Sequence, residues 1–368
     1  MFELFMNSRN TYAEVNVNQF LRNIFEISKK CGLQVAPVLK ADAYGHGAVE
    51  LAKACQNHGV GMVIVAFLEE ALQLRESGVA LPILVLNYFD PKFSEEAILN
   101  DLIMTVYSED QVKLISENLK GEEKLKVHLK VDTGMGRIGL LPDEAVELYN
   151  SIAKDPKFVI DGVYTHLSSA DDPEDPFNEK QMDDFKSFLS KIKKPKLIHI
   201  SNSAGATILN DIIGNFCRAG IASYGLQPSS KIKVEYIKPI MSVHSIVDFV
   251  KKLSPDRPVG YGHTFLAKSE MRAATIPFGY ADGLPRSLSN KGSVLINGKR
   301  AKILGRVSMD QIVVDVSKIG DVKVGDDVVI MGESGDESIT AEEIAEIAGT
   351  INYEIVCGIS KRVPRIYV

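Results

Sequence analysis

The sequence has little of what marks several large classes of protein. Its four cysteines, Cys31, Cys55, Cys217 and Cys357, are far apart and form no C-x-x-C pair. A disulfide scaffold and a zinc site are therefore disfavoured, no metal is expected, and reduced thiols in the cytoplasm are the default. There is no basic excess: 42 Lys+Arg stand against 48 Asp+Glu, for a formal net charge of -6. Nucleic acid is not an expected partner. The longest apolar stretch, Val60–Leu68, contains Gly61 and is too short to span a bilayer, so a membrane is not expected either. The first residues, Met1 to Asn10, lack the basic region, apolar core and cleavage site of a secretory signal. No low-complexity tract or internal repeat stands out. What remains is a chain of 368 residues, 45% hydrophobic and 24% charged, which is ordinary globular composition and long enough for two or three domains.

From Gln34 to Tyr224, short apolar runs alternate with longer amphipathic stretches. The runs are Gln34–Leu39, Met62–Ala66, Pro82–Leu86, Leu102–Tyr107, Leu125–Val131, Phe158–His166, Leu197–Ser201 and Phe216–Tyr224. Helical patterns fall between them, at Ala48–Gln56, Leu68–Glu76, Ser94–Leu99, Glu109–Leu119, Pro142–Ala153, Phe177–Ile192 and Ser203–Ile208, and one more, Asn18–Lys30, comes first. Eight strand–helix units in tandem predict an α/β fold, a (β/α)8 TIM-like barrel. An open doubly wound sheet is the alternative, but no Gly-rich dinucleotide fingerprint follows the first strand. After about Ser229 strand-like runs follow one another directly: Val243–Val250, Arg272–Ile276, Ser293–Ile296, Ala301–Leu304, Ile312–Val316 and Asp327–Met331. Asn297-Gly298 is a two-residue hairpin signal, and the one clear helix, Ala341–Ala348, opens with Thr340 and Glu343 at capping-box spacing. The expected division is a barrel over 12–235 and a C-terminal β-rich domain over 236–368, with residues 1–11 attached to the latter.

Lys40 ends the first strand and is followed by Ala41-Asp42-Ala43-Tyr44-Gly45-His46-Gly47. The C-terminal ends of barrel strands carry chemistry. A partly desolvated lysine there has a nucleophilic amine, suited to covalent attachment of a carbonyl compound. Taken alone, such a lysine is more often one that snorkels from a strand edge. Further motifs follow in order: Lys130-Val131-Asp132-Thr133-Gly134-Met135-Gly136-Arg137, Tyr164-Thr165-His166, Ser201-Asn202-Ser203, Arg218-Ala219-Gly220-Ile221, Gly260-Tyr261-Gly262, Gly279-Tyr280-Ala281-Asp282-Gly283, Gly305-Arg306-Val307-Ser308-Met309-Asp310 and Ile351-Asn352-Tyr353-Glu354. Each is weak; together, along nearly the whole chain, they resemble the alanine racemase family, enzymes that use pyridoxal 5'-phosphate (PLP).

The resemblance implies a role for each residue. Lys40 carries the cofactor and, once released by the incoming amino acid, is the base on one face of the substrate. Tyr261 is the base on the other face and is supplied by the partner subunit, which makes a homodimer with a shared site the expected active unit. A relay runs from Tyr261 to His166 to Arg218, the last facing the cofactor ring nitrogen. Arginine stays protonated in proteins, so it cannot deliver a proton there. Tyr44, Ser203, Gly220, Ile221 and Tyr353 bind the phosphate. Arg137 and the backbone N–H of Met309 bind the substrate carboxylate. Lys130 is carbamylated in many members and orients the arginine. Tyr280, Ile351 and Tyr353 narrow the entrance. The implied reaction interconverts L- and D-alanine, supplying D-alanine for peptidoglycan in the cytoplasm of a bacterium.

Each residue also has a routine reading: a core histidine for His166, a surface ion pair for Arg218, a helix cap for Ser203. Two positions depart from the common family pattern, Ser308 where cysteine is frequent and Leu284 where an aromatic is frequent. Relatives of broad substrate range tend to carry asparagine at the positions of Lys130 and Arg137, so alanine is favoured here over bulky substrates. A serine racemase of the same family is the nearest alternative. A barrel decarboxylase would pair the ring nitrogen with glutamate, and a binding protein that only holds PLP would lack the β-rich half. A metal-dependent hydrolase could cast Lys130, Asp132, His166 and His199 as ligands, but would be expected to open with an H-x-H pair.

Overall fold

The computed structural model describes residues 9–210 and 212–368. These form two compact units, one of residues 20–43 and 48–238 and the other of residues 9–19, 44–47 and 239–368. Of the N-terminal segment expected to join the β-rich domain, residues 1–8 lie outside the described residues.

The first unit is a closed parallel barrel. Six strands pair in order: Val63–Val65, Ile83–Val85, Leu102–Val106, Leu125–Lys130, Phe158–Tyr164 and Leu197–His199. Two more, Gln34–Pro37 and Phe216–Ala219, pair with each other. A bridge from Val38 to Ile64 joins this pair to one end of the six, and the Arg218 N–H donates to the Ser201 carbonyl at the other, 3.0 Å away. The helices between strands bury one stripe each: Val17–Cys31 turns Ile24 and Ile27 inward, and Leu68–Glu76 turns Leu68, Ala71 and Leu74 inward. Such stripes are what drives a helix onto a sheet. The eighth apolar run does not remain extended: after Ala219 it turns into a short 3-10 helix, Ile221–Tyr224.

Counted from Gln34–Pro37 as the first, the sixth barrel strand, Phe158–Tyr164, carries a bulge. Val127 pairs with Ile160, but His128 pairs with Gly162, so Asp161 is the extra residue. A Cβ on Gly162 would lie 2.7 Å from the His128 ring, and glycine is what leaves room for it.

The second unit is β-rich. Its largest sheet places Tyr12–Val15 between Met241–Ile246, antiparallel, and Arg365–Tyr367, parallel. Phe249–Leu253, Met271–Ile276 and Ile312–Asp315 form a second sheet. The Asn297-Gly298 hairpin is present: Ile296 pairs with Lys299, with φ of 51° and 71° at the two loop residues, as a type I′ turn requires. Thr340 Oγ1 caps Ala341–Ala348 by accepting from the Glu343 N–H at 3.1 Å. The sequence pattern is corrected here in three respects, the first being that the strand expected over Ala301–Leu304 runs over Lys299–Lys302. Val243–Val250 is not one run but the end of one strand and the start of another, and a second helix, Asn352–Gly358, follows the first.

Candidate active site

Lys40 follows the first barrel strand, where the Leu39 N–H donates to the Ile64 carbonyl at 2.7 Å. The backbone then takes a left-handed course, with φ of 52°, 53°, 53° and 54° at Ala41, Asp42, Ala43 and Tyr44. Left-handed backbone costs about 1–2 kcal/mol per residue without glycine, so it must be held. Glu70 holds it within the barrel unit: Oε1 accepts from the Ala41 N–H at 2.6 Å, and Oε2 from Ala66 and Phe67 at 2.8 and 3.1 Å. Asp42 Oδ1 accepts from the Ala48 N–H at 2.8 Å. The turn after Lys40 is thus clamped at both of its ends.

Arg218 lies on the neighbouring strand, in register with Ala36, and is buried. Nη1 donates to His199 Nδ1 at 2.7 Å; Nη2 donates to His166 Nδ1 at 3.0 Å and to the carbonyls of Thr165 and Ile200 at 2.9 and 3.1 Å. Among the described residues none accepts from Nε. Burial lowers its pKa to about 10, which leaves it charged at neutral pH. His166 and His199 are pushed well below their usual range, by burial first and by Arg218 next. Both are therefore neutral, and because each accepts at Nδ1, each carries its proton on Nε2. The Gln181 amide anchors the His166 carbonyl at 3.0 Å.

Around this pair the barrel interior is polar where layers of branched apolar side chains are usual. The Tyr164 ring stacks on His199 with centroids 4.6 Å apart, and its hydroxyl meets Thr105 Oγ1 at 3.1 Å. Lys130 is buried, and its Nζ donates to the Val131 carbonyl at 2.6 Å. Burial, then Arg218, bring its pKa down to about 7, with Arg137 adding to the effect. Arg137 is exposed on the loop after the fifth strand, where Asp132 Oδ1 accepts from Gly134 and Gly136 at 2.9 and 3.1 Å.

Ser203 opens Ser203–Thr207, capped by Asn202 accepting from the Gly205 N–H at 2.9 Å. Ser203 Oγ accepts from the N–H groups of Gly220 and Ala222 at 2.9 and 3.2 Å. The Ile221 N–H between them has no acceptor among the described residues. The Ser203 hydroxyl proton and the Ile221 N–H, after the seventh and eighth strands, are the donors suited to an anion.

The other expected residues lie in the second unit. Tyr44 and Tyr353 have ring centroids 6.0 Å apart, and burial drives the Tyr44 phenol well above its usual range, keeping it a neutral donor. Tyr280 and Met309 lie on two adjoining segments: the Tyr280 and Ala281 N–H groups each donate at 3.0 Å, to the carbonyls of Ser308 and Met309. No described residue accepts from the Met309 N–H. Met309, Ile351 and Tyr261 are 52%, 61% and 71% exposed. The motif residue Asp282, which the sequence leaves without a role, is fully buried and pairs with Arg9 at 2.9 Å. The hydrolase alternative fails on chemistry, because His166 and His199 both point Nδ1 at a guanidinium. His128 is the residue sequence reasoning missed, and His199 entered it only as a candidate metal ligand, not as a partner of Arg218; the i+2 spacing of His128 from Lys130 on one strand face was the available signal.

The N-terminal domain model of alanine racemase matches residues 15–228, and the C-terminal domain model matches residues 240–367. The chain belongs to the alanine racemase family. An alanine racemase of Halothermothrix orenii is 41% identical over 98% of this chain and 97% of its own. Alanine racemase 1 of Clostridium acetobutylicum is 39% identical over 99% and 97%. The crystal structure of alanine racemase from E. faecalis superposes with a TM-score of 0.94 at 38% identity, covering 98% of both chains. Membership carries the fold expectation, barrel plus β-rich domain, and the racemase class with it.

Proposed function

We propose that the protein is a PLP-dependent alanine racemase that interconverts L- and D-alanine with two bases, as a homodimer in the bacterial cytoplasm, supplying D-alanine for peptidoglycan. The observation that carries the reading is Arg218. A buried, charged guanidinium, hydrogen-bonded among the described residues only to neutral imidazoles and carbonyls through its terminal nitrogens, keeps Nε for a ligand beside the strand that precedes Lys40.

The residues fit PLP. Ser203, Gly220 and Ile221 supply donors for its phosphate, and Tyr44 and Tyr353 carry over as phenol donors. Arg218 Nε suits an unprotonated ring nitrogen, and Lys40 suits the aldehyde carbon. The bound cofactor supplies electron withdrawal that acidifies the substrate Cα–H. Lys40 Nζ then takes or returns the proton on one face, and the phenol oxygen of Tyr261 of the partner subunit does so on the other. A phenol of ordinary pKa near 10 is a weak base at neutral pH, and the Nε2–H of His166, backed by Arg218, is the donor that stabilises its anion. Arg137 and the Met309 N–H hold the substrate carboxylate. Lys130, with an amine near neutrality, reacts with carbon dioxide to a carbamate that orients Arg137. Tyr280, Ile351 and Tyr353 narrow the entrance in favour of alanine. No described helix is long and apolar enough to cross a membrane.

The test is a chiral assay on purified protein with PLP, using pure L-alanine and, in parallel, L-serine. Rapid formation of D-alanine with slow D-serine is expected. Equal rates would remove the substrate preference, and no D-product from either would remove the activity.

A further inference from the structure

Among the described residues, Arg218 has no carboxylate as a hydrogen-bond partner. Its charge is answered farther away. An arginine only donates, so His199 must accept at Nδ1; being neutral, it carries its proton on Nε2. That Nε2 lies 2.9 Å from His128 Nδ1. His128 is fully buried and also neutral, its imidazole pushed down by burial. It accepts at Nδ1 and so carries its proton on Nε2. The Nε2 faces Asp161 Oδ2 at 3.8 Å, an electrostatic contact longer than a hydrogen bond. No other partner meets it among the described residues. Every donor in the series Arg218, His199, His128 points one way, toward a carboxylate. Two local features help to build it: the bulge that makes Asp161 the extra residue, and Gly162, which makes space for the His128 ring.

We propose that Asp161 is a positioning residue for Arg218, acting through His128 and His199. The carboxylate favours His128 with its proton outward; that leaves Nδ1 to accept from His199, and His199 to accept from the guanidinium. The logic is that of a carboxylate fixing the tautomer of a catalytic histidine, extended by one further imidazole. The kinetic consequence rests on the racemase reading; the tautomers do not.

The test uses the full chain loaded with PLP and labelled with 15N-histidine. Long-range proton–nitrogen spectra resolve the ring nitrogens of its seven histidines, with His128 and His199 assigned from H128Q and H199Q. In the unaltered protein both rings should be neutral Nε2–H tautomers. In Asp161→Ala, His128 should lose its single tautomer, and kcat for racemisation should fall about tenfold, as for other residues that orient a ligand from behind, with KM within about twofold. Asp161 is partly solvent-accessible, so added formate should restore both the spectrum and the rate. Asp161→Asn keeps the volume without the charge and should shift the same His128 signals, which covers the case in which the alanine variant does not fold. The proposal is overturned by an Nδ1–H tautomer at His128 in the unaltered protein. It is equally overturned if either variant leaves the His128 signals unchanged, or loses rate in a way formate does not recover. An inactive unaltered protein with the predicted tautomer response would count against the racemase reading and for the chain of imidazoles.

Discussion

Lys130 shows what a single residue does when the barrel closes over it. Its pKa falls from 10.5 to about 7, mainly through burial. Between those values the unfolded chain binds a proton that the folded chain does not. Stability therefore rises with pH across that window, and protonation below about 7 leaves a buried ammonium beside Arg218. Lys130→Met removes the group from both states. In buffer free of carbon dioxide, the stability of the unaltered protein relative to this variant should climb by up to about 1.4 kcal/mol per pH unit between roughly 7 and 10. Melts at a series of pH values would read it, and parallel curves for the two proteins would contradict it. A 13C-bicarbonate spectrum, with K130M as the blank, tests the carbamate separately.

Among the elements, the left-handed turn after Lys40 places four consecutive non-glycine residues at positive φ. Ala41 is exposed with φ of 52°. Glycine pays little for that conformation, so Ala41→Gly should stabilise the protein by up to about 1 kcal/mol, measured by denaturant midpoint. A loss of stability would mean that the Cβ of Ala41 contributes contacts worth more than the strain. The turn also marks the limit of what the sequence discloses. Several strands and helices set by apolar period are legible to the residue: Leu68–Glu76, Ser94–Leu99 and Ser293–Ile296 have the boundaries that their patterns predict. The turn is not, because in Ala41-Asp42-Ala43-Tyr44 only Asp42 is of a type that tolerates positive φ; the clamp comes from Glu70, which only the fold brings there, and from Asp42 accepting from the Ala48 N–H. The site is partly legible for the same reason. Lys40, His166 and Arg218 stand in recognisable local contexts at strand ends. His128 and Asp161 do not, since one register slip between two strands decides that they meet.

For the molecule as a whole, a shared site has an arithmetic signature. Lys40→Ala and Tyr261→Phe each remove one base. If Tyr261 serves the partner's barrel, a mixed dimer of the two variants contains one site with both bases intact and one with neither. A 1:1 mixture, after subunit exchange, should therefore recover about a quarter of the unaltered activity, because half the dimers are mixed and half their sites are whole. No recovery above the parent variants would place both bases in one chain.

The strand Tyr12–Val15 sits between Met241–Ile246 and Arg365–Tyr367, and this has a consequence for biosynthesis. At about 5–20 residues per second, the ribosome releases this strand many seconds before either neighbour exists. It is made well before the strands it pairs with and must wait for them. Until then its backbone edges are open to other chains, the exposure that late-closing sheets share. Its brevity, four residues with Glu14 among them, limits how well it could template an aggregate during that wait.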